Sequence, residues 1–429
     1  MLKPIRLFNY EFPAQYWLMF VGMLISTVGA SMIWPFLMVY ASDRLNLPMT
    51  DVASLLTINA VVGLISAFIA GPIIDRVGRK WVMVISLLSN GMGFVLMSQA
   101  NTLPAFAAVM ALQGAVNPLY RVGADAMMAD LIPPDKRIDA YSMLRLSNNV
   151  GVAIGPAIGG FLAASSYNTA FFCAAISMGS YGVLIAFLAR ETLPLAAKAN
   201  LERFRQPVKE RFGGYDRVLR DRPFIAYNFA FLLTVIAAAM LWVLMAVYSK
   251  DNFGLSESLY GFIPMTNALM VVFLQIPVTQ VTKRFKTMPV MAVGALFYAV
   301  GVASVALGKG FWGFWTSMVI ISIGELIMVP TSSTFVANQA PPDMRGRYMS
   351  IYGLTWSISQ GIGPVFGGFL NDNFGPRTIW YGGGLVGSVS VLLFMLYSAL
   401  PSMSRAGLHP AQTVQTVDPP PLIPPAELN

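Results

Sequence analysis

The 429-residue chain has one cysteine, Cys173, and one histidine, His409. A lone cysteine excludes an internal disulfide, and this inventory cannot furnish a Cys/His metal site or a Cys–His or Ser–His nucleophilic pair. Charge is equally scarce, at 11% of residues against about 25% in typical soluble domains. So few charges cannot cover the surface of a soluble protein of this length. No GxxxxGK[ST] loop is present, so direct drive by ATP is not expected, and no metal or organic cofactor is expected either. No short apolar segment with a small-residue cleavage site opens the chain; its first apolar run is long enough to span and is expected to stay.

What is present is oil: 56% of residues are hydrophobic. A bilayer core takes roughly 20 predominantly apolar residues as helix, because each backbone N–H and C=O must be satisfied internally. Such runs predict helices near 15–41, 49–75, 80–99, 104–129, 138–164 and 168–190, then 224–249, 257–282, 288–307, 312–337, 346–370 and 377–400. The expected fold is therefore all-α and membrane-embedded, with twelve transmembrane helices in two pseudo-symmetric six-helix bundles, 1–190 and 224–400. A cytoplasmic connector, 191–223, with room for a short surface helix, joins them, and a disordered Pro-rich cytoplasmic tail, 401–429, follows. With the N-terminus inside, 22 of 28 Lys/Arg fall on inside segments; Arg44, Lys250, Lys309 and Arg377 fall outside, and Arg121 and Arg145 lie within helices. This positive-inside bias sets both termini in the cytoplasm and accounts for the net charge of +8 without nucleic acid.

The halves overlay without a gap at an offset of 208 residues. ADLIPPDKRIDAYSMLRLSNNVGVAIGPAIGGFL (129–162) faces ANQAPPDMRGRYMSIYGLTWSISQGIGPVFGGFL (337–370), and the same shift pairs Trp34 with Trp242, Tyr40 with Tyr248, Asp43 with Asp251 and Asn59 with Asn267. Parallel repeats with a site between them are a recurrent transporter plan. Over residues 10–400 the chain resembles a major facilitator superfamily transporter, most similar to the bacterial twelve-span drug:proton antiporters. Gly71, Asp75, Arg76, Gly78, Arg79 and Lys80, in GPIIDRVGRK, match that superfamily's loop between the second and third spans. SMLRLSNNVGVAIGPAIGG resembles the antiporter motif of the fifth span, with Gly151, Gly155, Pro156, Gly159 and Gly160 in place and Ser142 where its first glycine would stand.

Asp75 lies at the inner end of its helix, where a carboxylate opposes the helix dipole. It needs Arg76, Arg79, Lys80 or a neighbouring helix N-terminus as partner; the resemblance suggests the start of the eleventh span near Arg345–Arg347. Gly71 and Gly78 would allow close approach and a tight turn. The corresponding loop, TKRFKTMP, keeps the cations without an acid. The motif reads either as a latch between halves or as a basic loop that only sets topology. GPAIGG recurs as GPVFGG (363–368), and both read as packing sites or as bends where the halves meet.

Ionisable groups inside spans cost about 2.5–3.5 kcal/mol each on insertion scales and are functional candidates. Arg121 and Asp125 are four apart, hence on one face and able to pair, with Arg145 on the next span. The three read as a structural charge cluster or as proton handling. Glu325, in ISIGELIMVP, has no cation in its own span. It reads as a proton-coupling group, a lure for a cationic solute, a carboxylate met by a partner from another helix, or a protonated hydrogen-bonding group. The cation that the antiporter resemblance places three residues before Gln113-Gly114 is Met110 here, and Arg121 lies eleven residues on, about 16 Å along the helix. The acid common in the first span of polyspecific exporters is absent from LISTVGASMIWPF.

Trp34, Asn59, Gln113, Asn117, Asn148, Trp242, Asn267, Gln275 and Trp356 are the polar and aromatic cavity candidates. Such a cavity suits lipophilic solutes better than sugars, which need many hydrogen-bond partners. The expectation is a monomeric inner-membrane exporter of the multidrug efflux type, moving amphiphilic or lipophilic organic compounds outward against protons by alternating access. An importer or facilitator of a small metabolite, and a non-transporting receptor or scaffold built on connector and tail, are the rival readings.

Overall fold

A computed structural model describes residues 12–133, 136–193, 215–341 and 344–400; the expectations placed on the Pro-rich tail and on connector residues 194–214 lie outside them. Twelve long helices follow in order: α1 (Ala14–Leu45), α2 (Met49–Val77), α3 (Arg79–Gln99), α4 (Leu103–Leu131), α5 (Arg137–Ser165), α6 (Tyr167–Leu188), α7 (Arg222–Phe253), α8 (Glu257–Thr282), α9 (Thr287–Ser304), α10 (Gly310–Gln339), α11 (Arg345–Phe374) and α12 (Thr378–Ala399). Among the described residues no strand occurs. Local chemistry sets the breaks. Thr102 and Ser166 accept from the amides of Ala105 and Thr169 at the starts of α4 and α6, and Asp221 does the same for Phe224 at 3.1 Å at the start of α7. Pro35 marks a single 3₁₀ turn, Trp34–Phe36, inside α1. Gly78, at φ +107°, turns α2 into α3 in one residue. The only described helix of the connector is Tyr215–Arg220.

Eleven of these helices are long and apolar enough to cross a membrane. The exception, α11, is rich in Gly, Ser and Asn, and it packs between α7, α12 and the opposing α2 instead of offering a broad face to lipid. Large apolar side chains such as Ile176, Phe187, Phe273, Ile276 and Leu385 point outward on other helices, as a lipid-facing surface requires.

The halves meet along two seams, α2 against α11 and α5 against α8. The repeated glycine motifs build both. Gly151, Gly155 and Gly159 abut Thr27, Ser31 and Met32 of α1, in their own half, whereas Gly160 abuts the Glu257 carbonyl across the seam. At the offset of 208, Gly363 and Gly367 face α7 of their own half, and a Cβ on Gly368 would lie 2.8 Å from the Thr50 nitrogen across the other seam. Both helices run unbroken through Pro156 and Pro364, so these motifs act here as packing surfaces.

Contacts across the seams concentrate at one end. Asp372 accepts hydrogen bonds from the Met49 amide (3.1 Å), the Thr50 amide (2.8 Å) and the Thr50 hydroxyl (2.6 Å), capping α2 from the opposite half. Thr57 donates to the Gly361 carbonyl at 2.6 Å. Lys250 pairs with Asp43 of the first half at 2.6 Å and with Glu257 at 2.8 Å, and the Tyr167 hydroxyl donates to Glu257 at 2.9 Å. Toward the other end the same helices part: a Cβ on Gly71, Gly346 or Gly353 would meet nothing within 4 Å. The close approach expected at Gly71 is therefore not made, because the helices diverge there.

Candidate functional site

A cavity of about 270 Å³ opens below the sealed end, walled mostly by helices of the first half and closed on the other side by Trp242 and Pro264 of the second. Trp34, Asn59, Gln113, Asn117 and Trp242, all expected from sequence, line it. Phe94 and Phe171 add apolar wall, and no lining side chain is charged. Asn59 spends its Nδ2 on the Met110 carbonyl at 3.0 Å. The cavity also takes Asn90 from α3 and Met178 from α6, which sequence reading missed because it placed the site on central helices alone. Asn90 is 3% exposed in the uncharged stretch 81–99, and a polar residue inside such a run was the available signal.

The other four cavity candidates sit elsewhere. Asn148 accepts from Thr27 at 3.2 Å. Gln275 donates to Thr279 (3.0 Å) and to the Leu326 carbonyl (3.1 Å), tying α8 to α10. Trp356 packs on Phe231, with ring centroids 5.7 Å apart. Asn267 belongs to a second polar cluster, in the other half: its Nδ2 donates to Ser322 Oγ and to Glu325 Oε2, both at 2.9 Å, and Ser322 returns its proton to the Met318 carbonyl at 2.7 Å. Glu325 is partly buried and closes no ion pair among the described residues; Arg145 of the first half acts on it only through its field. Asn267 thus reaches Glu325 from another helix, an arrangement that fits both the partnered and the hydrogen-bonding readings of this residue.

Arg121 and Asp125 do not close into an ion pair. Both are exposed on α4, where solvation competes with pairing; Arg121 acts on Asp125 only through its field. Asp75 takes Arg79 as partner at 3.6 Å, and Arg79 also faces Asp130 at 3.2 Å. The expected contact with the start of α11 is absent among the described residues, since that end of α11 stands away. Glu191, unremarked in the sequence, caps α3 instead: its carboxylate accepts from the amides of Arg79 (2.9 Å) and Lys80 (3.1 Å). Lys80 lies over the Trp81 ring at 5.1 Å.

Twelve long helices, repeated six on six and enclosing an uncharged cavity, define a helical membrane transporter. The model of the Major Facilitator Superfamily matches residues 19–359 and 227–424. The chain belongs to that superfamily. It is 26% identical over 405 residues to a Na(+), Li(+), K(+)/H(+) antiporter of Planococcus maritimus, covering 88% of this chain and 93% of that one. It is 24% identical over 382 residues to multidrug resistance protein MdtH of Escherichia coli O1:K1, covering 88% and 92%. The fold matches the crystal structure of a POT family transporter in complex with a thioalcohol-conjugated peptide at a TM-score of 0.76 and 15% identity, covering 91% of this chain and 97% of that one. It also matches nucleoside transporter NupG at 0.73 and 13%, covering 90% and 100%.

Proposed function

We propose that the protein is a proton-coupled exporter of lipophilic or amphiphilic organic compounds in the inner membrane, with both termini in the cytoplasm. Bundles 1–190 and 224–400 rock about the cavity, and the conformation described here is closed outside and parted inside. The observation that carries this reading is the separation of tasks: an uncharged aromatic cavity walled mostly by the first half, and a carboxylate in the second half held by Asn267 and within the field of Arg145 of the first. Because Arg145 and Glu325 lie on opposite halves, gain or loss of a proton at Glu325 changes an interaction between the bundles, and that is a means of coupling. Relatedness to an antiporter and to a multidrug resistance protein supports the direction.

The test is substrate-driven proton movement in proteoliposomes. Glu325→Gln is expected to abolish the proton flux while leaving downhill substrate movement within about threefold of the native rate, since the amide keeps the volume and part of the hydrogen bonding. Equal proton flux in both proteins would sink the assignment. The cluster of carboxylate, amide and hydroxyl oxygens also supports a second reading, exchange of a monovalent cation for protons, in line with the Planococcus relative. Proton flux that follows a sodium gradient without any organic solute would select it.

A further inference from the structure

The cavity contains an amide with no partner. Gln113 is 7% exposed and lines the cavity. It makes no hydrogen bond among the described residues, and its Nε2 is fully enclosed without an acceptor. Buried side-chain polar groups are nearly always satisfied; this nitrogen lies against Gly93 of α3, so the carboxamide meets a cavity solute through its oxygen, or through its nitrogen after a half-turn of the amide. Asn117 lies four residues on, one turn along the same face of α4, and also lines the cavity. A carboxamide offers a donor and an acceptor together, and two of them a turn apart complement a ligand that does the same. No cation or anion finds a counter-charge among the lining residues, and an unpaired ion in such surroundings is strongly disfavoured. Trp34, Trp242, Phe94 and Phe171 supply ring faces, and the volume of about 270 Å³ suits a two-ring molecule.

We propose that this cavity selects neutral, flat aromatic solutes that carry an amide group, and that Gln113 and Asn117 read that group. The proposal rests on the export reading only for the statement that the bound solute is cargo, and its test measures binding alone. Tritiated benzanilide is bound to the purified full chain and displaced by unlabelled benzanilide, by its hydrocarbon isostere trans-stilbene, and by the cation N-methyl-4-styrylpyridinium. Benzanilide is expected to displace at a concentration about five- to tenfold lower than either competitor, the size of one or two hydrogen bonds made in place of water. Gln113→Leu removes that preference over stilbene. Asn117→Leu, at an exposed position that folding tolerates, reduces it. Equal displacement by stilbene, stronger displacement by the pyridinium, no saturable benzanilide binding (water then being the occupant), or two monodisperse leucine variants that keep the native preference would each overturn the proposal. Loss of proton coupling with the preference intact would end the export reading and leave the recognition standing.

Discussion

The two halves diverge most where they correspond best. Asn59 and Asn267 stand 208 residues apart, and so do Met110 and Met318, and Asn117 and Glu325. In the first half Asn59 donates straight to the Met110 carbonyl, and the position of the carboxylate is taken by Asn117, a neutral amide at the cavity wall. In the second half Ser322 has come between: it bonds the Met318 carbonyl and frees Asn267 to reach Glu325 as well. One architecture thus yields a void with neutral donors on one side and a filled, ionisable cluster on the other. Duplication supplied the frame, and a few polar differences between α4 and α10 distinguish the two sides. The seams show the same drift. Asp372 caps α2 from across the interface, while its counterpart at the other seam is Ala164, and a network around Lys250 does the joining there.

The comparison breaks most sharply if the two asparagines are equivalent. Asn267→Ala removes two hydrogen bonds, one of them to a carboxylate, and leaves Glu325 within the field of Arg145. A loss of at least about tenfold in coupled transport is expected, in line with 1.5–3 kcal/mol for a hydrogen bond to a charged group. Asn59→Ala removes one bond to a backbone carbonyl and should cost about 1 kcal/mol of stability, with transport within about threefold of native. Proteoliposome transport alongside thermal unfolding separates the two effects; similar losses from both variants would mean that the halves have not diverged in this way.

Much of this was legible beforehand. Apolar runs placed all twelve helices, since backbone satisfaction in a bilayer leaves little choice. The shared offset anticipated that GPAIGG and GPVFGG would do the same job, and they do, down to Gly160 and Gly368 alone facing the opposite half. What could not be read was which face each polar residue turns to. Gln275 and Asn148 are carboxamides in apolar spans just as Gln113 and Asn117 are, yet they find partners within the packing. Long-range caps were equally invisible: Glu191 meets α3 over a separation of 112 residues, and Asp372 meets α2 over 323. Such pairs follow from tertiary geometry, which local pattern does not encode.

A finer test concerns the two seams. Asp372→Asn removes the charge from an acceptor that gathers three bonds from α2. A shift of about tenfold toward the conformation open at that end is expected. It would be read as faster labelling of Thr57→Cys, in a Cys173→Ser background, by an impermeant maleimide from outside. Lys250→Met at the other seam should shift it less, because Lys250 and Asp43 are 30% and 46% exposed and water already screens them. Equal shifts would place both seams on one footing.

The smallest effect belongs to Asp75, where the halves differ by an acid in one loop and Lys283 at the corresponding position in the other. In the conformation described, Asp75 is 47% exposed and touches only Arg79 of its own half, at 3.6 Å. A pair of that kind contributes about 0–1 kcal/mol, and α3 is already capped by Glu191. Asp75→Asn should therefore leave Tm and membrane insertion unchanged. If the motif is a latch, its consequence is expected in the other conformation, in which the parted ends of α2 and α11 would come together and the carboxylate would gain a partner across the interface. Transport is expected to fall about three- to fivefold, roughly the weight of one partly solvated charge contact, and impermeant labelling of Thr57→Cys from outside should slow in proportion. Native transport in Asp75→Asn would show that the loop only sets topology and that closure at this end needs no acid.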